Sequence, residues 1–168
     1  MNSNDVYKSC RNFNHNHDHR FENVYVHAWE ADLFSVTQSL YSYEIEVKIS
    51  RSDFLADFKK PKHILFRSDQ LNHSNCPNVF YYAVPEGLIH ETEIPTYAGL
   101  MYCLSNGRYN IIKKAPYIHK DHFNCKNMLY QKYLNMSFEI RQERWDHKIA
   151  IERLQRENDL LKWQATVL

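Results

Sequence analysis

Between Tyr43 and Lys60 the sequence YEIEVKISRSDFLADFKK changes its period from two to between three and four within a few residues. In the first half Glu44, Glu46 and Lys48 alternate with Ile45, Val47 and Ile49, so an extended strand has one charged and one apolar face. Ser50 to Asp53 then has the S-x-x-D form of a capping box, with Ile49 and Phe54 placed as a hydrophobic staple across it. Phe54, Leu55 and Phe58 supply an apolar helical face that Pro61 brings to an end. A strand running straight into a helix constrains the chain towards an α/β arrangement.

The flanking segments extend that reading. From Asn23, NVYVHAWEADLFSV is rich in β-branched and aromatic residues, as strands are. VFYYAV is a near-continuous apolar run closed by Pro85, the pattern of a strand covered on both faces. AGLMYCLSNGRYNIIKKAP reads as a hairpin whose Asn106-Gly107 pair suits a two-residue type I′ turn. HILFRSDQLNHSNCPN has no decisive pattern. Past Pro116, Leu129, Tyr133, Met136 and Ile140 recur at helical spacing. The remaining residues, with Trp145, Ile149, Leu154 and Leu161, form no regular heptad over three or four repeats, which predicts one helix that docks on its own domain or pairs with a partner. The fold expected is α/β, a mixed central β-sheet flanked by helices, with a long C-terminal helix. Its expected divisions are a polar N-terminal arm over 1–23, either loose or a short irregular helix, a core over 24–125 and a helical extension over 126–168.

At 168 residues and 43% hydrophobic content the chain has ample material for one core. Its 21 basic and 20 acidic residues leave a net charge of +1, so any site for a polyanion must be a local patch. No eighteen apolar residues run together, and the first twenty residues lack the apolar centre of a signal peptide, so a soluble, intracellular protein is expected. Cys10, Cys76, Cys103 and Cys125 lie far apart with no CxxC pair, which fits reduced thiols. His15, His17 and His19 alternate in NHNHDH, a tract that either binds a transition metal or forms a solvated tail.

Chemistry concentrates on Asp32, Glu46 and Lys48. Two carboxylates on strands about 4.8 Å apart can converge on one hard divalent cation, with carbonyl and water oxygens completing the shell, and Mg²⁺ or Mn²⁺ suits such a set. Lys48, two residues beyond Glu46 on the same face, reaches the same spot and can orient a water or steady a phosphate. The alternative is a solvated strand face with a cross-strand Glu–Lys pair.

The ordered segments EADLFSV, YEIEVKISRSDFLADFKKPKH, NVFYYAVPEGLI and IPTYAGLMY resemble the PD-(D/E)XK, or restriction-endonuclease-like, nuclease superfamily, most closely small bacterial and phage members related to the MmcB DNA-repair family. The resemblance spans roughly residues 24–115. It implies a metal-dependent nuclease acting on DNA, in repair or phage DNA processing, in the cytoplasm of a bacterium or a phage-infected cell. It makes Asp32 and Glu46 the metal ligands with the main-chain carbonyl of Val47, and Lys48 the catalytic lysine. Glu22, Glu30 and Asp53 are the candidate additional acidic groups. Glu44 and Asp57 lie on the same motifs, and for Asp53 the competing role is the helix cap. Arg51, Lys59, Lys60, Lys62, Lys113 and Lys114, with Lys120, are the candidate DNA contacts, acting through the phosphates. A different class of reading is a nuclease-fold protein that binds DNA or a protein partner without cutting. The C-terminal helix is the expected surface for self-association or for that partner.

Overall fold

The computed structural model describes residues 1–68, 76–124 and 126–167, in two compact units, Met1–Cys125 and Lys126–Leu168. The first is α/β: six strands in the order β1 to β6, with helices on both faces. They are β1 (His19–Val26), β2 (Trp29–Val36), β3 (Ser42–Val47), β4 (Val79–Pro85), β5 (Ala98–Cys103) and β6 (Tyr109–Lys113). Pairs β1–β2, β2–β3 and β5–β6 are antiparallel, whereas β3–β4 and β4–β5 are parallel. This is the mixed sheet that the hydrophobic patterns predict.

Parallel neighbours need a crossover. The link from β3 to β4 contains α2 (Arg51–Asp57) and α3 (Lys62–Leu65), and the link from β4 to β5 contains a short 3₁₀ turn at Glu91–Glu93. Ser50 caps α2 by accepting from the Asp53 backbone N–H at 3.2 Å. The reciprocal half of the expected capping box gives way, because the Asp53 carboxylate turns towards Lys48 instead. Ile49 is about half exposed while Phe54 is buried.

Period-two alternation sorts the sheet into two cores. Leu33, Ile45, Val47, Val79, Tyr81, Ala83, Met101 and Cys103 pack with Val6 and Cys10 of α1 (Ser3–Phe13). On the opposite face Phe80, Tyr82, Val84, Ala98 and Leu100 pack with Phe54, Phe66, Ile89, Ile94 and Tyr97. Every residue of VFYYAV is buried, as a central strand requires.

Three expectations change. Residues 1–23 are not a separate polar arm: Asn2 caps α1 in a full capping box with Asp5, Val6 and Cys10 lie four apart on its buried face, and β1 begins at His19. The NHNHDH tract is not a solvated tail, since His15 Nδ1 bonds the Asn12 carbonyl, His17 Nδ1 bonds the Ser35 hydroxyl with its ring against Tyr43, and His19 opens β1. The β5–β6 turn is not type I′: of the Asn106-Gly107 pair only Gly107 has a positive φ, +82°. A Gly107 N–H to Leu104 carbonyl bond closes a turn over 104–107, and Asn106 Oδ1 accepts from the Arg108 N–H at 2.9 Å.

The second unit is α4 (Lys126–Val167), 42 residues long, or about 63 Å at the α-helical rise. No helix among the described residues is long and apolar enough to cross a membrane.

Gly99 supplies the prediction of this section. A Cβ there would stand 2.3 Å from Tyr81 Cε1 and 2.7 Å from the Ala115 backbone N. Tyr81 cannot retreat freely, because its hydroxyl accepts from that same Ala115 N–H at 3.1 Å. Gly99→Ala is therefore expected to lower stability by about 1–3 kcal/mol, read as a lower urea midpoint. A midpoint equal to the parent would show that the β4–β5 packing has slack.

Candidate active site

β3 ends where α2 begins, so its charged face lies beneath α2 and α3. Glu44, Glu46 and Lys48 are all buried, which corrects the solvated-face alternative: the charged face is as deeply covered as the apolar one. Buried charges persist only when paired and hydrogen-bonded, and here the partners come from the crossover. Lys62 of α3 donates to Glu44 Oε1 at 2.9 Å and to Glu46 Oε2 at 2.6 Å. Trp29 Nε1, on β2, donates to both Glu44 oxygens at 3.0 Å. Burial pushes the Glu44 carboxyl above the usual range, with the Lys62 ammonium opposing it.

Lys48 Nζ lies 3.0 Å from Glu46 Oε1, 3.1 Å from Asp57 Oδ1 and 3.6 Å from Asp53 Oδ1. Lys60 pairs with Glu46 and lies 2.7 Å from Asp57 Oδ1. Asp57 Oδ2 accepts from Tyr82 Oη at 2.9 Å and sits 2.8 Å from His63 Nε2. A carboxylate only accepts, so His63 Nε2 is the donor, and Tyr97 Oη lies 2.8 Å from the other ring nitrogen. Burial pushes the Asp57 carboxyl up, but the His63 donor and the Lys62 and Lys60 ammonium groups outweigh it and hold it well below the ordinary value.

Asp32 completes the arrangement from β2. Extending the β2–β3 register one step past Leu33–Ile45 sets Asp32 opposite Glu46. There its Oδ2 accepts the Val47 backbone N–H at 2.8 Å, the donor that a further ladder bond would have used. Burial, then the nearby Glu46 charge, raises the Asp32 pKa, with the Val47 N–H and Lys48 opposing the rise. Tyr7 of α1 also feels this corner: burial, then the charges of Asp32 and Glu22, push its phenol up to about 12.

The structure thus brings Asp32, Glu46, Val47, Lys48 and Asp53 together. Glu22 does not join them, because Arg11 of α1 takes both its oxygens, at 2.6 and 2.8 Å, and holds its carboxyl low. Glu30 is exposed. Lys62 is not a surface DNA contact, being only 1% exposed, and Lys60 is engaged by Glu46 and Asp57. Arg51 pairs with Glu93, and Lys113 donates to the Ile94 and Pro95 carbonyls. Lys59, Lys114 and Lys120 are exposed. Sequence reasoning gave no role to His63, Tyr82 or Tyr97; the one available signal was His63 standing six residues past Asp57 in the crossover.

Among the described residues no three His, Cys, Asp or Glu side chains form a metal-holding group. A cation here would rest on Asp32 and Glu46 together with main-chain and water oxygens. The carboxylates Asp32, Glu44, Glu46, Asp53 and Asp57 meet the ammonium groups Lys48, Lys60 and Lys62, and lysines already engage both Glu46 oxygens, so a cation would have to displace one of them.

No protein-family model matches the sequence, and no curated protein matches it. A solved structure, that of a protein of unknown function from Silicibacter pomeroyi, is similar, with a TM-score of 0.59 and 18% identity over 84% of this chain and 90% of that one. The likeness shows the fold.

Asp57 gives the pH prediction. A depressed folded pKa stabilises the fold at pH values above the ordinary aspartate value of 3.8, and that stability drains away as pH falls below it. Asp57→Asn should cost about 3–5 kcal/mol at neutral pH, because Lys60 and Lys48 lose a buried partner. It should also flatten the fall in stability below pH 4 (about the free-carboxylate value) in urea titrations. A variant with the parent's acid profile would remove Asp57 from the account.

Proposed function

We propose that this chain is a metal-dependent nuclease that hydrolyses phosphodiester bonds in DNA. The observation that carries the reading is the convergence of Asp32 and Lys48 on Glu46 at the β2–β3 corner, with Asp32 anchored on the Val47 N–H. The order of sequence motifs adds to it. Asp32, Glu46 and the Val47 carbonyl would hold Mg²⁺ or Mn²⁺, an ion that supplies Lewis acidity to a phosphate and to a water. Glu46 fixes the Lys48 ammonium at 3.0 Å and Asp57 fixes it at 3.1 Å, so its position is set before substrate arrives. From there Lys48 orients the attacking water and balances the negative charge that grows on the phosphate. The His63–Asp57 pair acts on Lys48 from behind and is a positioning element. Lys59, Lys114 and Lys120 are the exposed cations left to meet the DNA backbone.

The contrary reading, a nuclease-fold protein that binds without cutting, draws on the ammonium groups that already occupy both Glu46 oxygens. A nicking assay on supercoiled and single-stranded DNA with Mg²⁺ or Mn²⁺ separates the two. Metal-dependent cutting is expected from the parent. Asp32→Asn should fall to background, and Lys48→Met should lose about 10²-fold or more, both with the parent's circular dichroism. Calorimetric Mg²⁺ binding should vanish in Asp32→Asn. DNA binding that ignores the metal, with no substrate cut, would establish the contrary reading.

A further inference from the structure

Ile151 and Leu154 on α4 are 55% and 65% exposed. Isolated helices draw little stability from propensity alone and most from burying an apolar face. Counting in sevens from Arg144 places Arg144, Ile151 and Asn158 at one seam position, and His147, Leu154 and Leu161 at the other. Glu143, His147, Lys148, Ile151 and Gln155 border one shallow groove along that side of the helix.

The charges beside this seam complement a second copy of themselves. Glu143 and Glu157 stand just before a seam position, and Lys148 and Lys162 lie five residues further along in each case. In a parallel pair these are the flanking positions that meet across the interface, so Glu143 of one copy faces Lys148 of the other, a contact made twice by symmetry. An antiparallel pair would set these glutamates against glutamates. A β-branched Ile151 followed by Leu154 favours two strands, and Asn158 in the seam pairs with its own counterpart only in register. Trp145 lies off the seam, with Lys148 Nζ 5.9 Å from its ring centre.

We infer that α4 joins two copies of this chain as a parallel, in-register coiled coil over residues 144–161. The seam is short and opens on the polar pair Arg144 and His147, so the dimer dissociates on dilution. The inference does not rest on the nuclease reading.

Sedimentation equilibrium of the full chain over a concentration series should show monomer passing to dimer. Ile151→Asp should remain monomeric, with the sheet intact by circular dichroism. Glu143→Lys should weaken the dimer, and adding Lys148→Glu should restore it. Leu154→Cys, which meets its own counterpart in a parallel coil, should oxidise to a disulfide-linked dimer, whereas Arg153→Cys, outside the seam, should not exceed the parent. A monomer at every concentration overturns the inference. So does a dimer in which Leu154→Cys cross-links no better than Arg153→Cys.

Discussion

Burial of the charged face of β3 is the constraint on which the first unit depends. Two carboxylates and an ammonium group inside a protein are tolerated only with partners in good geometry, and removing one partner leaves a charge stranded. Lys62 meets this need for Glu44 and Glu46 at once, while Lys48 and Lys60 meet it for Glu46 and Asp57. These contacts pin the crossover between β3 and β4 onto one face of the sheet. The apolar contacts of Phe54 and Phe66 on the same face then add non-directional stability. Position is thus specified by ions, and the free energy of closing the layer comes mainly from the aromatic core around Tyr82 and Phe80.

What was legible in the sequence follows from how local each signal is. The strand at Ile45 and Val47, the cap at Ser50 and the covered strand VFYYAV are written in neighbouring residues, and the structure has all three. Alternation says which residues share a face but not what covers it. The burial of Glu44 and Glu46 was therefore hidden: its cause, Lys62, lies 18 and 16 residues away. The fold-back at His27 left no cue either, since the turn uses a histidine at φ +61° where Asn-Gly would have announced it. α1 was obscured by composition. The Asn, His and Asp content of residues 1–23 left a loose arm and a short irregular helix both open, and the Asn2–Asp5 box and the Val6–Cys10 spacing decide for the helix.

The same distinction divides the candidate site. Asp32, Glu46 and Lys48 were visible as a spaced set, because two strands and a short gap suffice to bring them together. Asp57 was visible as a residue, but its burial and its bond to Tyr82 were not, since they depend on β4 lying beside β3, and the His63 bond was not, since it depends on the turn between α2 and α3. Glu22 failed for a similar reason. It was read as part of the polar arm, without the helix that supplies Arg11.

Glu46 holds the remaining tension. A carboxylate that serves three ammonium groups is fully neutralised, and a divalent cation could join it only if positive charge left. The three lysines are not equal in this respect. Lys62 is held in the interior by Glu44 as well as Glu46, and Lys48 is held by Glu46 and Asp57 at nearly equal distances. Lys60 has a side chain 45% exposed, so its ammonium group can return to water at little desolvation cost. On the nuclease reading Lys60 is then the counterion that yields its place, Lys62 is the permanent partner of Glu44 and Glu46, and Lys48 stays to act on substrate. Depth thus sets Lys60 apart, and the second carboxylate, Asp57 for Lys48 and Glu44 for Lys62, divides the other two.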